Sequence, residues 1–134
     1  MKLTERKLIK LCKEYRMPPK VTEKIVAEAM SKYANINFES TMYRLAGGGM
    51  ERIFSRGDIE LTFTPYIPGH PMGAGEESHE RIDFDDGERV HVFHWNGKEE
   101  RYTSAKARRL EEAHKNVTKQ SVVKKSWLDR IFTR

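Results

Sequence analysis

Cysteine is nearly absent: Cys12 is the only one in 134 residues. No internal disulfide can form, and a reducing compartment, the cytoplasm, is the expected location. Cys12 sits among apolar helix positions and reads as a small buried hydrophobe, with a reactive thiol as the lesser alternative. Long apolar runs are also missing. None approaches the roughly 20 residues that span a bilayer, so no membrane is expected among the partners. The opening, Met1-Lys2-Leu3-Thr4-Glu5-Arg6-Lys7, has no apolar core of the kind a signal peptide carries. There is no internal repeat and no low-complexity tract. Gly47-Gly48-Gly49 is not followed by Lys-Ser/Thr, which excludes a P-loop. No metal-ligand spacing and no nucleophile–base signature stands out. The expectation is a protein without metal, cofactor or catalytic residue, hence a non-enzymatic one.

What the chain has is charge. It is 37% hydrophobic and 34% charged, which suits a solvated domain with a real core. Residues 1–50 carry ten Lys/Arg against five Glu, residues 51–100 five against twelve acidic groups, and residues 101–134 ten against three. Both ends are basic and the middle is acidic. Basic ends suit an anionic partner; the alternative is that they fold over the acidic centre and neutralise it.

The patterning predicts an α+β fold in one domain over residues 1–116, followed by a basic tail over 117–134. Leu3 to Tyr15 reads as a helix capped by Thr4, and Met17-Pro18-Pro19 ends it. A second helix is expected from about Thr22 to Tyr33, with Ile25, Val26, Ala29, Met30 and Tyr33 on its apolar face. Phe38 to Ala46 is read as a helix stopped by the three glycines, with a strand turning at the glycines as the competitor. Met50 to Phe54 is a short apolar-basic run before a turn at Ser55-Arg56-Gly57. Ile59 to Thr64 alternates as a half-buried strand, and Pro65 to Gly75 is a loop. His79 to Thr103 predicts a three-stranded antiparallel meander turning at Asp85-Asp86-Gly87 and at Asn96-Gly97. The whole sheet is expected to have four or five strands. Ser104 caps a basic helix running to about His114.

Four constellations bear on function. With Asn96-Gly97 as a two-residue turn, Trp95 faces Lys98, Phe93 faces Glu100 and His91 faces Tyr102. Across the other turn Asp83 faces Arg89 and Arg81 faces His91. One face of the meander then collects Arg81, Arg89, His91, Phe93, Trp95, Lys98 and Tyr102, and the other Ile82, Phe84, Val90 and Val92. Aromatics interleaved with basic groups can stack unpaired bases and neutralise phosphates. The competing reading buries Phe93 and Trp95 under a helix as a second core.

The second constellation is Glu39-Ser40-Thr41-Met42-Tyr43-Arg44-Leu45. It resembles the recognition helix of winged-helix regulators, which implies that Ser40, Thr41, Tyr43 and Arg44 face a DNA groove and backbone. Third, His91 with Tyr102 and Glu100 could serve general acid–base catalysis in a metal-free nuclease. His91 and His94, three apart on a strand, fall on opposite faces and cannot share one ion. Fourth, Trp127, Leu128, Ile131 and Phe132 fall on one face of a short segment beyond a basic stretch. They read as a docking peptide for another protein or a second copy, with packing on the chain's own core as the equal alternative.

The leading expectation is a small binding protein that contacts nucleic acid through its basic ends. Arg6, Lys7, Lys10, Lys13, Arg44, Lys106, Arg108 and Arg109 would supply phosphate contacts, with Arg81, Arg89, Phe93 and Trp95 of the meander as a second surface. The alternative is a protein-interaction factor, such as a phage- or mobile-element-type inhibitor, accessory or assembly component, docking through the tail.

Overall fold

The computed structural model describes residues 1–45, 47–69 and 77–115. Two helices, α1 (Glu5–Glu14) and α2 (Pro19–Tyr33), precede six strands. These are β1 (Glu39–Arg44), β2 (Met50–Arg56), β3 (Ile59–Thr64), β4 (Arg81–Asp85), β5 (Arg89–His94) and β6 (Glu99–Thr103). They form one antiparallel sheet in the order β1-β2-β3-β4-β5-β6. A third helix, α3, follows over residues 105–115. The α+β class, the N-terminal helices and the basic C-terminal helix are as expected, and the sheet has one strand more than the upper expectation.

The local chemistry accounts for the helix starts. The Thr4 hydroxyl accepts from the Lys7 amide at 3.2 Å and caps α1. Pro18 and Pro19 end nothing beyond the intervening turn, since Pro19 opens α2, where its missing N–H is no loss. Arg16 makes the turn between the helices in the left-handed region, with φ of 54°. Ser104 caps α3: its carbonyl accepts from Arg108 at 3.0 Å and its hydroxyl from the Lys106 amide at 3.3 Å. The same hydroxyl donates to Asp85 at 3.1 Å, and Ser104 is fully buried.

The core lies between α1, α2 and one face of the sheet. Leu8, Leu11, Cys12 and Tyr15 of α1 and Val21, Ile25, Ala29 and Tyr33 of α2 meet Phe54, Leu61, Phe63, Ile82, Phe84 and Phe93. The rings are set edge-on where they meet: Phe54 on Phe63 at 5.6 Å, Tyr33 on Phe84 at 5.8 Å and Phe84 on Phe93 at 5.5 Å. Cys12 is buried in this layer, and burial pushes its thiol up to about 11.

Two expectations are overturned. Residues 39–44 are a strand, not a helix. Glu39 to Arg44 pair residue by residue with Ser55 to Met50 of β2, and the glycines form the hairpin turn, with Gly48 at φ of 90°. The recognition-helix resemblance therefore fails: Ser40, Thr41, Tyr43 and Arg44 alternate along an edge strand. A local apolar spacing loses here to six long-range pairings.

The meander is shifted by its turns. Asp85 pairs with Val90, so the first turn spans four residues, and Gly87 takes φ of 92°. Phe93 pairs with Glu99, and Gly97 alone is left-handed in the second turn, so that turn has three residues instead of two. Such offsets turn side chains over to the other face. His91 and Phe93 join Ile82 and Phe84 under the helices, while Val90 and Val92 share the outer face with Arg81, Asp83, His94 and Tyr102. His91 and His94 do lie on opposite faces.

Candidate nucleic-acid interface

The helices do not reach β1, whose six residues are all exposed. Strand alternation puts Ser40, Met42 and Arg44 on the helix side, beside Arg52 and Arg56 of β2. Along α1, Lys7 and Lys10 are three apart and share the flank that looks toward β1. They meet Arg52 in a groove of about 250 Å³ lined also by Met1, Leu11, Glu14 and Phe54. Glu14 is the acidic group of that groove, and it pairs with Arg52 at 3.5 Å. The Lys7 ammonium donates to the Lys2 carbonyl at 3.3 Å. Three cations thus converge from α1 and β2, and Arg44 and Arg56 extend the same face along the hairpin. Met42 adds an apolar patch, 49% exposed.

Other expected phosphate contacts lie elsewhere. Arg6 is exposed on the crest of α1. Lys13 lines the opposite flank, in an apolar groove of about 590 Å³ between α1 and α2. Lys106 is engaged, donating to the Asp58 carbonyl at 3.1 Å and lying 3.8 Å from Glu60. Arg108 and Arg109 are exposed, and their guanidinium groups donate to the carbonyls of Thr103 and Ala105. The basic ends therefore do not merge into the groove that Lys7 and Lys10 share, and Lys106 is the one of these residues that meets a sheet carboxylate among the described residues.

The second expected surface comes apart. Phe93 is 1% exposed in the core and is not available to stack a base. Arg89 borders a crevice of about 80 Å³ with Glu28, Lys32 and Arg101. Arg81 lies on the outer face, 3.5 Å from Asp83, whose buried carboxyl is raised above its ordinary value by desolvation. Trp95 remains exposed. It stacks on His79 at 4.5 Å, and His79 meets Tyr66 at 5.3 Å. That three-ring stack was not expected, because Tyr66 and Trp95 are far apart in sequence.

The nuclease constellation also comes apart. His91 is buried on the helix side between two glutamates, 2.8 Å from Glu99 and 3.4 Å from Glu28. Tyr102 and Glu100 are on the other face, where His94 lies 3.5 Å from Glu100. Burial opposes the Glu28 carboxylate, but hydrogen bonds from Lys32 and His91 outweigh it and hold its pKa low. Hydrogen bonds from His91 and Lys24 hold Glu99 low as well. The cluster ties α2 to β5 and β6.

The docking residues Trp127, Leu128, Ile131 and Phe132 lie outside the described residues. Among the described residues no helix is long and apolar enough to cross a membrane, and no group of three or more His, Cys, Asp or Glu could hold a metal ion. No protein family, curated protein or solved structure matches this chain.

Proposed function

We propose that this is a non-enzymatic nucleic-acid-binding protein whose contact surface is the α1 flank and the β1–β2 hairpin. The observation that carries the reading is the convergence of Lys7, Lys10 and Arg52 on one groove beside an exposed strand. Charges from two elements are fixed at neighbouring points, with Arg44 and Arg56 continuing the row. Each cation that meets a phosphate releases a counterion, so affinity falls with salt. A groove flanked by lysines positions a backbone and carries no base-reading groups of its own. Contacts are therefore expected to be largely independent of sequence. Salt-dependent binding of labelled oligonucleotides tests the reading, with Lys7, Lys10 and Arg52 neutralised as the comparison.

A second reading, a protein-interaction factor of the phage-accessory kind, draws on the groove between α1 and α2. Ile9, Met17, Val26 and Met30 line it, and Ile9 is 37% exposed. The two readings part on salt. Docking into an apolar groove changes little between about 50 and 200 mM, a range over which multiple phosphate contacts lose orders of magnitude in affinity.

A further inference from the structure

The open sheet ends in two edge strands, β1 and β6, and they differ. β6 is guarded: Glu99, Glu100 and Arg101 put charge along it, and the Thr103 carbonyl already accepts from the Arg108 guanidinium at 3.1 Å. β1 has a charge only at its ends, Glu39 and Arg44, and carries no proline and no lysine. All of its residues are exposed, Tyr43 at 52%. The direction of its backbone groups follows from the hairpin. The Leu45 amide donates to the Gly49 carbonyl at 2.9 Å, so Tyr43, Thr41 and Glu39 also turn their amides and carbonyls toward β2. Phe38, Ser40, Met42 and Arg44 turn theirs outward. Phe38 is satisfied there: its amide donates to the Met1 carbonyl at 2.8 Å and its carbonyl accepts from the Met1 amine at 2.6 Å. Among the described residues no protein group meets the outward backbone of Ser40, Met42 or Arg44.

We propose that β1 pairs with β1 of a second copy of this chain, in an antiparallel ladder with Met42 on the two-fold axis. The outward residues are evenly spaced about Met42, which makes the edge its own complement. Met42 meets its counterpart, and each Ser40 meets the other copy's Arg44. Each such pair exchanges both of its N–H···O=C bonds. A shift toward the start of β1 drives Arg44 against Met1 at Phe38, and a shift the other way sets Ser40 beyond the strand at the glycine turn. The side chains suit the same register. Met42, 49% exposed, is covered by its counterpart, and Thr41 faces Tyr43 on the outer side. The two Arg44 side chains stand about 14 Å apart along the seam, beyond the Debye length of about 8 Å at physiological salt. β6 offers no such match. The His94 amide donates to the Lys98 carbonyl, so Glu99, Arg101 and Thr103 face outward, and the same symmetry sets Arg101 against itself. The match of spacing, side chains and charge selects a second copy over a foreign strand. Opposite residues of the ladder share a face, so both helix layers lie on one side of the joined sheet. There β2 and its two-fold mate are about 14 Å apart, and the two grooves of Lys7, Lys10 and Arg52 flank the seam. The pairing rests on the edge and not on what those grooves bind.

The test is the solution mass of the full chain without nucleic acid, by sedimentation from about 10 μM to 1 mM, with amide hydrogen exchange read at both ends of that range. The seam is short, so a dissociation constant on the order of 100 μM is expected, with the mass rising toward twice that of the chain. Exchange at Ser40, Met42 and Arg44 is expected to slow as concentration rises. Thr41 and Tyr43, already bonded to β2, are expected to show no concentration dependence. Met42→Lys puts two ammonium groups on the axis and is expected to weaken the dimer about 10-fold or more. Met42→Pro removes an outward amide that the β2 ladder does not use, and the same loss is expected. Arg101→Ala, on the other edge, is expected to leave the dimer unchanged. A chain that stays monomeric at about 1 mM, a dimer that Met42→Lys leaves intact, or slowed exchange at Thr41 and Tyr43 instead would overturn the assignment. If Met42→Pro fails to fold, Met42→Lys and the exchange pattern decide. Failure to bind an oligonucleotide leaves this result untouched.

Discussion

Across β4 and β5, Phe93 stands opposite Ile82, and both side chains are buried under the helices. Phe93 also packs on Phe84 at 5.5 Å and on the His91 ring at 4.1 Å. Its two sequence neighbours, Val92 and His94, look the other way. This pairing places the whole outer face of the meander. Phe93→Ala is expected to cost about 3–5 kcal/mol, the range for emptying a buried phenylalanine site. Trp95→Ala, at a 39% exposed turn position, is expected to cost well under half of that. Chemical denaturation of the two variants checks the order; equal losses would mean that the register is different.

His91 lies between Glu28 and Glu99, and both carboxyls have pKa values below the ordinary 4.5. A carboxyl held low in the folded state stabilises it at pH values above the unfolded pKa. That contribution is lost as pH falls through the lowered folded value. Stability is therefore expected to drop on acidification below about 4.5 in the wild type. The Glu28→Gln and Glu99→Gln variants are expected to start lower at neutral pH and to show a shallower drop. Urea midpoints measured from pH 3 to 7 show which occurs, and parallel curves for all three proteins would remove the cluster as a stabilising device.

Cys12 is fully buried between the helices, and burial pushes its thiol to about 11. The thiolate is the reactive form, so native protein at neutral pH is expected to be unreactive toward a disulfide reagent. Reaction is expected to appear in step with unfolding. A fast stoichiometric reaction in native buffer would show that the α1–α2 layer opens readily.

The elements of this fold were legible in the sequence wherever a short-range signal decides them. Thr4 and Ser104 cap the helices they were expected to cap, and Gly87 and Gly97 mark the turns of the meander. Turn length was less legible, because Asp-Asp-Gly and Asn-Gly each suit loops that differ by a residue, and a small offset sends Phe93 into the core. The strand Glu39–Arg44 was misread because its apolar spacing also fits a helix, and its pairing with β2 is what decides. The candidate groove was legible in part. Lys7 and Lys10 sit at helical spacing, whereas Arg52 joins them only through the packing of α1 beside β2.

Lys7, Lys10 and Arg52 are proposed to hold a nucleic-acid backbone. The most direct test is fluorescence anisotropy of a labelled oligonucleotide between about 50 and 200 mM salt, with the wild type beside a Lys7→Gln, Lys10→Gln, Arg52→Gln variant. Removing three phosphate contacts is expected to reduce the slope of log affinity against log salt by about 2–3 and to weaken binding at the lowest salt. Arg108→Ala with Arg109→Ala, on a different element, is expected to leave the slope nearly unchanged. A wild type that does not bind at the lowest salt, or a triple variant that keeps the wild-type slope, would contradict the account.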